Sequence, residues 1–311
     1  MVVVVPTFNR RDLLMKTLES LRGQQTQPDD CTVVSDGSTD GTDEMAKDAG
    51  FTVLRTDRRQ AAGARNRGWC AAQHADVVAF IDDDCQADAG WLTALLAPFA
   101  DPTVGLVQGR TEPAGPMGPF DRSISVAGET GLYESCNIAY RRSVLEQVGG
   151  FDESFGTDRW SRRGGASAAR PFGEDTDLAW RARRAGWRAA FAPDAVVRHH
   201  VFPGTFADRL RESWRHGNFA PLMRHIPELR DCLPGSRWFL RRHGPLVDLA
   251  LAGAVVAVRR PRIGAALLAP YTVWLIRRHR RPAPLVRQVA TDVVTSVSLL
   301  TSSARSRSML L

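Results

Sequence analysis

Three consecutive acids, Asp82-Asp83-Asp84, directly follow the apolar run Val77–Ile81. Adjacent carboxylates repel one another, most strongly where a buried strand has just ended and little water screens them. A divalent cation removes that repulsion, and hard oxygen donors suit Mg²⁺ or Mn²⁺. The competing reading is a solvated acidic loop. Two further polar runs follow apolar ones: Pro6-Thr7-Phe8-Asn9-Arg10 after Val2–Val5, and Asp36-Gly37-Ser38-Thr39-Asp40-Gly41-Thr42 after Cys31–Ser35. Taken singly these are ordinary, since Asp-Gly marks a turn and Asn9 suits a helix cap.

The elements that must position these residues follow from the periodicity. Val2–Val5 reads as a buried strand, and Asn9 with Asp12 as the cap of a helix that puts Leu14, Leu18 and Leu21 on one face. Cys31–Ser35, Phe51–Arg55 and Val77–Ile81 read as further strands, with helices from near Thr42 and over Arg65–His74. Alternation of this kind predicts an α/β fold with a Rossmann-like, mostly parallel sheet flanked by helices. Ligands bind such sheets outside the carboxyl ends of the strands, where the three polar runs fall. Beyond Thr103–Gln108 the pattern loosens. Pro113–Pro119 reads as a loop, Ser143–Val148 as a helix stopped by Gly149-Gly150, Phe155–Phe172 as a long mobile loop, and Asp175–Ala185 as a helix.

The chain has 311 residues, 43% of them hydrophobic and 24% charged, which excludes a disordered chain, a collagen-like fibre and a disulfide-stapled miniprotein. Five cysteines without a CxxC pair argue against a metal cluster or disulfide framework. Met1 leads straight into Val2–Val5 with no signal-peptide pattern, so a cytoplasmic protein is expected. The net charge of +7 is uneven: residues 236–311 hold 13 arginines and two aspartates, or +11.

Several motifs occur together between residue 2 and about 200: Val-Val-Pro-Thr-Phe-Asn-Arg, Val-Val-Ser-Asp-Gly-Ser-Thr-Asp-Gly-Thr, Ala-Arg-Asn-Arg-Gly, Phe-Ile-Asp-Asp-Asp and Gly-Glu-Asp-Thr-Asp-Leu. In this order and spacing the chain resembles the inverting, nucleotide-sugar-dependent family 2 glycosyltransferases of the GT-A fold. The resemblance implies a catalytic domain over residues 1–235, with a nucleotide half to about 110 and an acceptor half from about 111. It implies that Pro6 and Thr7, with Asn9, line the nucleotide pocket, that Asp36 contacts the base, and that Arg65 and Asn66 lie beside the diphosphate. Asp84 would ligate the metal, with Asp82 nearer the ribose or sugar and Asp83 between them. Asp175 matches the catalytic base, and its place at a helix start favours the carboxylate form. Asn137 and Glu174 fall on the acceptor side. His199 and His200, after the apolar Ala195–Val197, would complete the metal shell or touch the diphosphate, or else are capped or surface histidines.

The stretch 236–311 lies outside the resemblance and reads as a basic, apolar helical extension. Leu246–Val258 and Ile263–Ile276 are each shorter than the ~20 residues needed to span a bilayer. Next to them stand Arg259, Arg260, Arg262 and the cluster at 277–281, a layout that suggests helices at a membrane surface, peripheral on the inner face. Nucleic acid is not expected, because no stacking aromatics accompany the arginines. Leu285–Leu300 reads as another helix and the Ser/Arg end from Thr301 as disordered. The expected partners are a UDP- or dTDP-sugar donor and an acceptor that is a lipid-linked or cell-envelope glycan. The alternatives are a small-metabolite acceptor or a non-catalytic glycan-binding scaffold.

Overall fold

A computed structural model describes residues 1–58, 60–155, 172–233, 237–279 and 281–311. They form two compact units, dividing near residues 203 and 204. The division expected at 235 marked the end of the resemblance, whereas by contacts the helices from Phe206 onward group with the C-terminal ones.

The first unit is built on an eight-stranded sheet in the order β3-β2-β1-β4-β7-β6-β8-β5. Its strands are β1 (Val2–Thr7), β2 (Asp30–Ser35), β3 (Thr52–Arg55), β4 (Val77–Ile81), β5 (Cys85–Ala87), β6 (Val104–Pro113), β7 (Asn137–Arg141) and β8 (Arg188–His199). The helices are α1 (Arg11–Arg22), α2 (Thr42–Asp48), α3 (Gln60–Ala71), α4 (Trp91–Leu96), α5 (Arg142–Val148) and α6 (Glu174–Arg184). β1 runs parallel to both β2 and β4, so the chain reverses its strand order at β1. The carboxyl ends of these three strands therefore lie on one edge, the switch point at which open α/β sheets bind ligands. β7 is antiparallel to β4 and β6, which makes the sheet mixed.

Burial explains why the strands were legible. Val2, Val3, Val4 and Val5 are wholly buried, as are Val78, Ala79, Phe80 and Ile81 of β4, because helices cover both faces. α3 approaches β1 closely at Gly68, where an added Cβ would lie 2.3 Å from Val4 Cγ1 and 3.2 Å from Val34 Cγ2. That approach seats Arg65, one turn earlier on α3, against the sheet edge.

Some expectations differ in detail. The residue before α1 is Arg10, with no side-chain cap, and Asn9 adopts a left-handed φ of 50°. Its amide oxygen instead accepts from the Thr39 N–H at 2.8 Å, tying the end of β1 to the loop after β2. β6 runs on through Pro113, and β8 begins at Arg188 rather than Ala195. Most of the loop predicted over Phe155–Phe172 lies outside the described residues.

The second unit is helical: α7 (Phe206–Arg215), α8 (Phe219–His225), α9 (Gly244–Ala257), α10 (Pro261–Arg278) and α11 (Pro282–Ser306). Thr205 and Asp208 cap α7 reciprocally. α9 and α10 pack around Val247, Ala250, Tyr271 and Leu275. The tail predicted to be disordered from Thr301 is instead ordered. α11 continues to Ser306, Leu310 is fully buried, and Leu311 exchanges backbone hydrogen bonds with Trp238 and Leu240. Among the described residues no helix is long and apolar enough to cross a membrane.

Gly68→Ala is expected to destabilise the protein by about 1–3 kcal/mol through overpacking, read as a lower urea midpoint. An unchanged midpoint would mean that α3 can retreat from β1 at no cost.

Candidate active site

The three carboxyl ends open on a cavity of about 510 Å³. β1 contributes Pro6 and Thr7, the turn after β2 contributes Asp36, α3 contributes Arg65, and the end of β4 contributes Asp82 and Asp83. Six of the eight residues assigned to the nucleotide-sugar are thus gathered on one wall, and Phe8, Arg10, Arg58 and Gln60 join them. Asn9 and Asn66 are not on that wall. Asn66 donates to the Phe151 carbonyl and to Glu153, and accepts from Trp69 and from the Phe151 N–H, so it holds the segment after α5. Both oxygens of Asp36 are engaged as well, by the Thr56 hydroxyl at 2.6 Å and the Gln60 N–H at 2.8 Å, which fixes the entry to α3.

Each acid of the triplet is paired with a guanidinium, two of them with the same one. Arg65 Nη2 donates to Asp82 at 2.7 Å. Asp83 accepts from the Thr7 hydroxyl at 2.7 Å and from Arg10 Nη1 at 2.9 Å. Burial pushes the Asp83 carboxyl up to about 7, with the Arg10 charge opposing the rise and Asp84 adding to it. Asp84 accepts from the same Arg10 nitrogen at 2.6 Å. Arg10 also lies 5.5 Å from the ring centre of Phe202.

Strand register brings in the histidine. Cys85 of β5 is paired with His199 of β8, so His199 Nε2 lies 3.5 Å from Asp84 Oδ1. Among the described residues, Asp84, Cys85 and His199 place one donor atom each within 4.8 Å of one another, all three buried. A hydrogen bond with Cys136, together with burial, holds the Cys85 thiol well above its ordinary range, and a soft sulfur suits Mg²⁺ or Mn²⁺ less well than oxygen and nitrogen donors. The carboxylate and imidazole remain, a pair that fits Mn²⁺ well. The His200 ring packs edge-on against Phe202 at 4.7 Å, and its backbone N–H donates to the Asp84 carbonyl at 2.8 Å.

The second acidic group sits at the start of α6. Gly173 precedes it at φ 92°, a left-handed conformation open to glycine and costly for other residues. Glu174 Oε1 lies 3.6 Å from Arg65 Nη1, so one buried guanidinium joins this group to Asp82. Arg65 Nη1 and Nε are buried and have no hydrogen-bond partner. Burial and then the charge of Asp175 raise the Glu174 carboxyl above its usual range. Burial also raises Asp175, against the Thr176 N–H at 2.8 Å, the charge of Arg65 and the Ser135 N–H at 3.3 Å. Asn137 is placed otherwise. It is 1% exposed and accepts from Trp91 Nε1 while donating to the carbonyls of Arg110 and Ala195. It is a strut between strands, with its amide fully engaged.

Residues 2–149 match the family model described as Glycosyl transferase family 2, and residues 133–218 match Glycosyltransferase like family 2. Residues 2–218 of the chain belong to glycosyltransferase family 2. It is 31% identical over 246 residues to a pre-mycofactocin glycosyltransferase of Mycobacterium tuberculosis, taking in 73% of this chain and 48% of that protein. It is 27% identical over 219 residues to the O-antigen chain rhamnosyltransferase RfbN of Salmonella typhimurium, taking in 63% of this chain and 65% of the relative. The chain thus spans about half to two thirds of the length of these curated relatives. The mannosyltransferase PcManGT of Pyrobaculum calidifontis, solved in complex with GDP-Man and Mn²⁺, matches it in fold with a TM-score of 0.64 at 22% identity. That match covers 96% of this chain and 86% of the other. The GT-A architecture expected from the motifs is the one observed.

Arg10 and Cys85 are among the site residues that the sequence pattern does not reveal. Arg10 was quoted within its motif without a role, and the acids that give it one lie more than 70 positions away. Cys85 follows the triplet directly, but only the pairing of β5 with β8 sets it opposite His199. Arg65→Ala is expected to cost about 3 kcal/mol of unfolding free energy, because it leaves Asp82 and the buried Glu174 without their shared cation. Adding Asp82→Asn should recover part of that loss in urea unfolding. An Arg65→Ala protein as stable as its parent would mean that Arg65 does not hold the acids together.

Proposed function

We propose that this chain transfers a sugar from a nucleotide-sugar, UDP- or dTDP-linked, to an acceptor hydroxyl with inversion at the anomeric carbon. The observation that carries the reading is Arg65. Its guanidinium lines the 510 Å³ cavity beside Asp82, and two of its nitrogens are buried without hydrogen-bond partners, so a fixed cation stands where a diphosphate would lie. Pro6, Thr7, Asp36 and Asp82 would hold the nucleoside and ribose around it. Asp175, next to the Glu174 that touches Arg65, would take the proton of the acceptor hydroxyl as that oxygen attacks the anomeric carbon. The bond from that carbon to the diphosphate breaks as the new bond forms, and alignment of the two groups supplies much of the rate.

Asp84 and His199 would hold a divalent cation, Mg²⁺ or Mn²⁺, whose charge would stabilise the departing diphosphate. Support comes from their convergence and from a fold relative whose structure contains Mn²⁺, PcManGT. For the acceptor, RfbN favours a lipid-linked or cell-envelope glycan, while the pre-mycofactocin glycosyltransferase favours a small metabolite.

Calorimetric titration of UDP, dTDP and GDP, with and without Mn²⁺, tests the donor site. Metal-dependent binding of one nucleotide is expected, and binding of none would overturn the reading. Asp175→Asn should keep that binding and abolish transfer, whereas Asp84→Ala should weaken Mn²⁺ binding itself. Because burial raises Asp175, its base form is lost as pH falls through a value above the usual aspartate range near 4. The acid limb of log(kcat/KM) should therefore lie above that range. A limb at ordinary aspartate pH, or transfer by the Asn variant at the parental rate, would remove Asp175 from the role.

The helical unit is proposed to rest peripherally on the inner face of a membrane. Val255 and Val258 are 74% and 84% exposed where α9 ends, beside Arg259, Arg260 and Arg262, and Ile263 follows at 47%. Apolar tips among arginines suit an anionic bilayer surface. The full chain should float with phosphatidylglycerol vesicles, and replacing those three arginines by glutamate should release it. Flotation of the triple variant at the parental level would place the contact elsewhere.

A further inference from the structure

The helical unit contains a cavity of about 540 Å³ that the transfer reading leaves unused. Its wall carries Arg209, His216, Arg241, Arg242, His243 and Arg278, and none of the wall residues found among the described ones is acidic. A buried acid stands behind two of them. Asp292, fully buried, accepts from Arg241 Nη1 at 2.6 Å, lies 3.1 Å from His243 Nε2 and accepts from the Tyr271 hydroxyl at 2.7 Å. His243 is also stacked on Trp274, with ring centres 4.5 Å apart and planes inclined by 11°. Arg241 and His243 are therefore preset in position before anything enters the cavity.

Charge is left over. Asp292 offsets one guanidinium, while Arg209, Arg242 and Arg278 form no ion pair among the described residues. Burial holds His216 below its ordinary range, so it adds a neutral polar group. Guanidinium forks converging on a concave space are matched by the oxygens of phosphate, which several can grip at once. Leu246 and Trp274 give the same space an apolar side. A phosphate attached to an apolar group would meet both kinds of wall. We propose that this cavity binds a phosphate or diphosphate group, either free or as the headgroup of a lipid.

The test titrates two soluble probes into the full chain in EDTA: inorganic pyrophosphate, and dihexanoyl phosphatidic acid below its micelle concentration. Both are repeated on Arg209→Ala/Arg242→Ala/Arg278→Ala, whose three side chains are exposed and have no internal acid to abandon. A parental melting temperature for that variant shows that it is folded. Affinity is expected to fall about tenfold for each arginine removed, as charge-assisted contacts are lost. Tighter binding of the phosphatidic acid assigns a lipid headgroup, and equal or tighter binding of pyrophosphate assigns a free phosphate. The donor site is untouched in the variant, so parental affinity in the folded variant would place binding there and overturn the proposal. Failure of the parent to bind either probe would overturn it too.

Discussion

A guanidinium taken out of water must be repaid by charges close at hand, and in this chain that condition falls on Arg65. Removing such a group from solvent costs several kcal/mol unless ion pairs and hydrogen bonds compensate. Asp82 comes from the end of β4 and Glu174 from the start of α6, more than 90 residues further along. α3 can offer the side chain only because Gly68 lets it lie against Val4 of β1. One buried cation therefore joins a strand end, a central helix and a late helix N-terminus. The guanidinium is held beside the cavity by the same contacts, so little reorganisation remains when an anion arrives.

Around that cation the polar residues divide by task. Thr7, Asp82 and Asp83 line the cavity and are held by short bonds to neighbouring lining residues. Asn9, Asn66 and Asn137 do not face it. Each spends its amide on backbone groups of another segment: the loop after β2, the segment after α5, and the pair β6 and β8. They set where the reactive groups stand, and replacing one would move several neighbours rather than delete one contact.

This division also explains what could be read from residues alone. Val2–Val5 and Val77–Ile81 are short, β-branched or apolar and buried on both faces, so pattern and structure agree. The acids after β4 were legible because like charges in a row need an explanation wherever they sit. Asn9 was misread because a cap and a cross-loop anchor use the same side chain, and only its left-handed backbone separates them. Asn137 looked available because nothing local shows that Trp91 and two carbonyls consume its amide. The end of the chain looked unstructured by composition, since serine and arginine carry little hydrophobic signal. Its order comes from distant partners, with Arg224 donating to the Ser306 carbonyl and Ser303 bridging to Leu310.

Arg10 neutralises Asp83 and Asp84 together through one nitrogen, at 2.9 and 2.6 Å. A divalent ion arriving at Asp84 would meet a carboxylate that already has a cation, with Arg10 on Oδ2 and only the Oδ1 that faces His199 left to it. The net affinity would be lowered by repulsion between two cations sharing one carboxylate. An anion bound beside Arg10 would offset that repulsion and so strengthen the hold on the metal. Anion and metal would then load as a pair, each raising the other's affinity by the same factor.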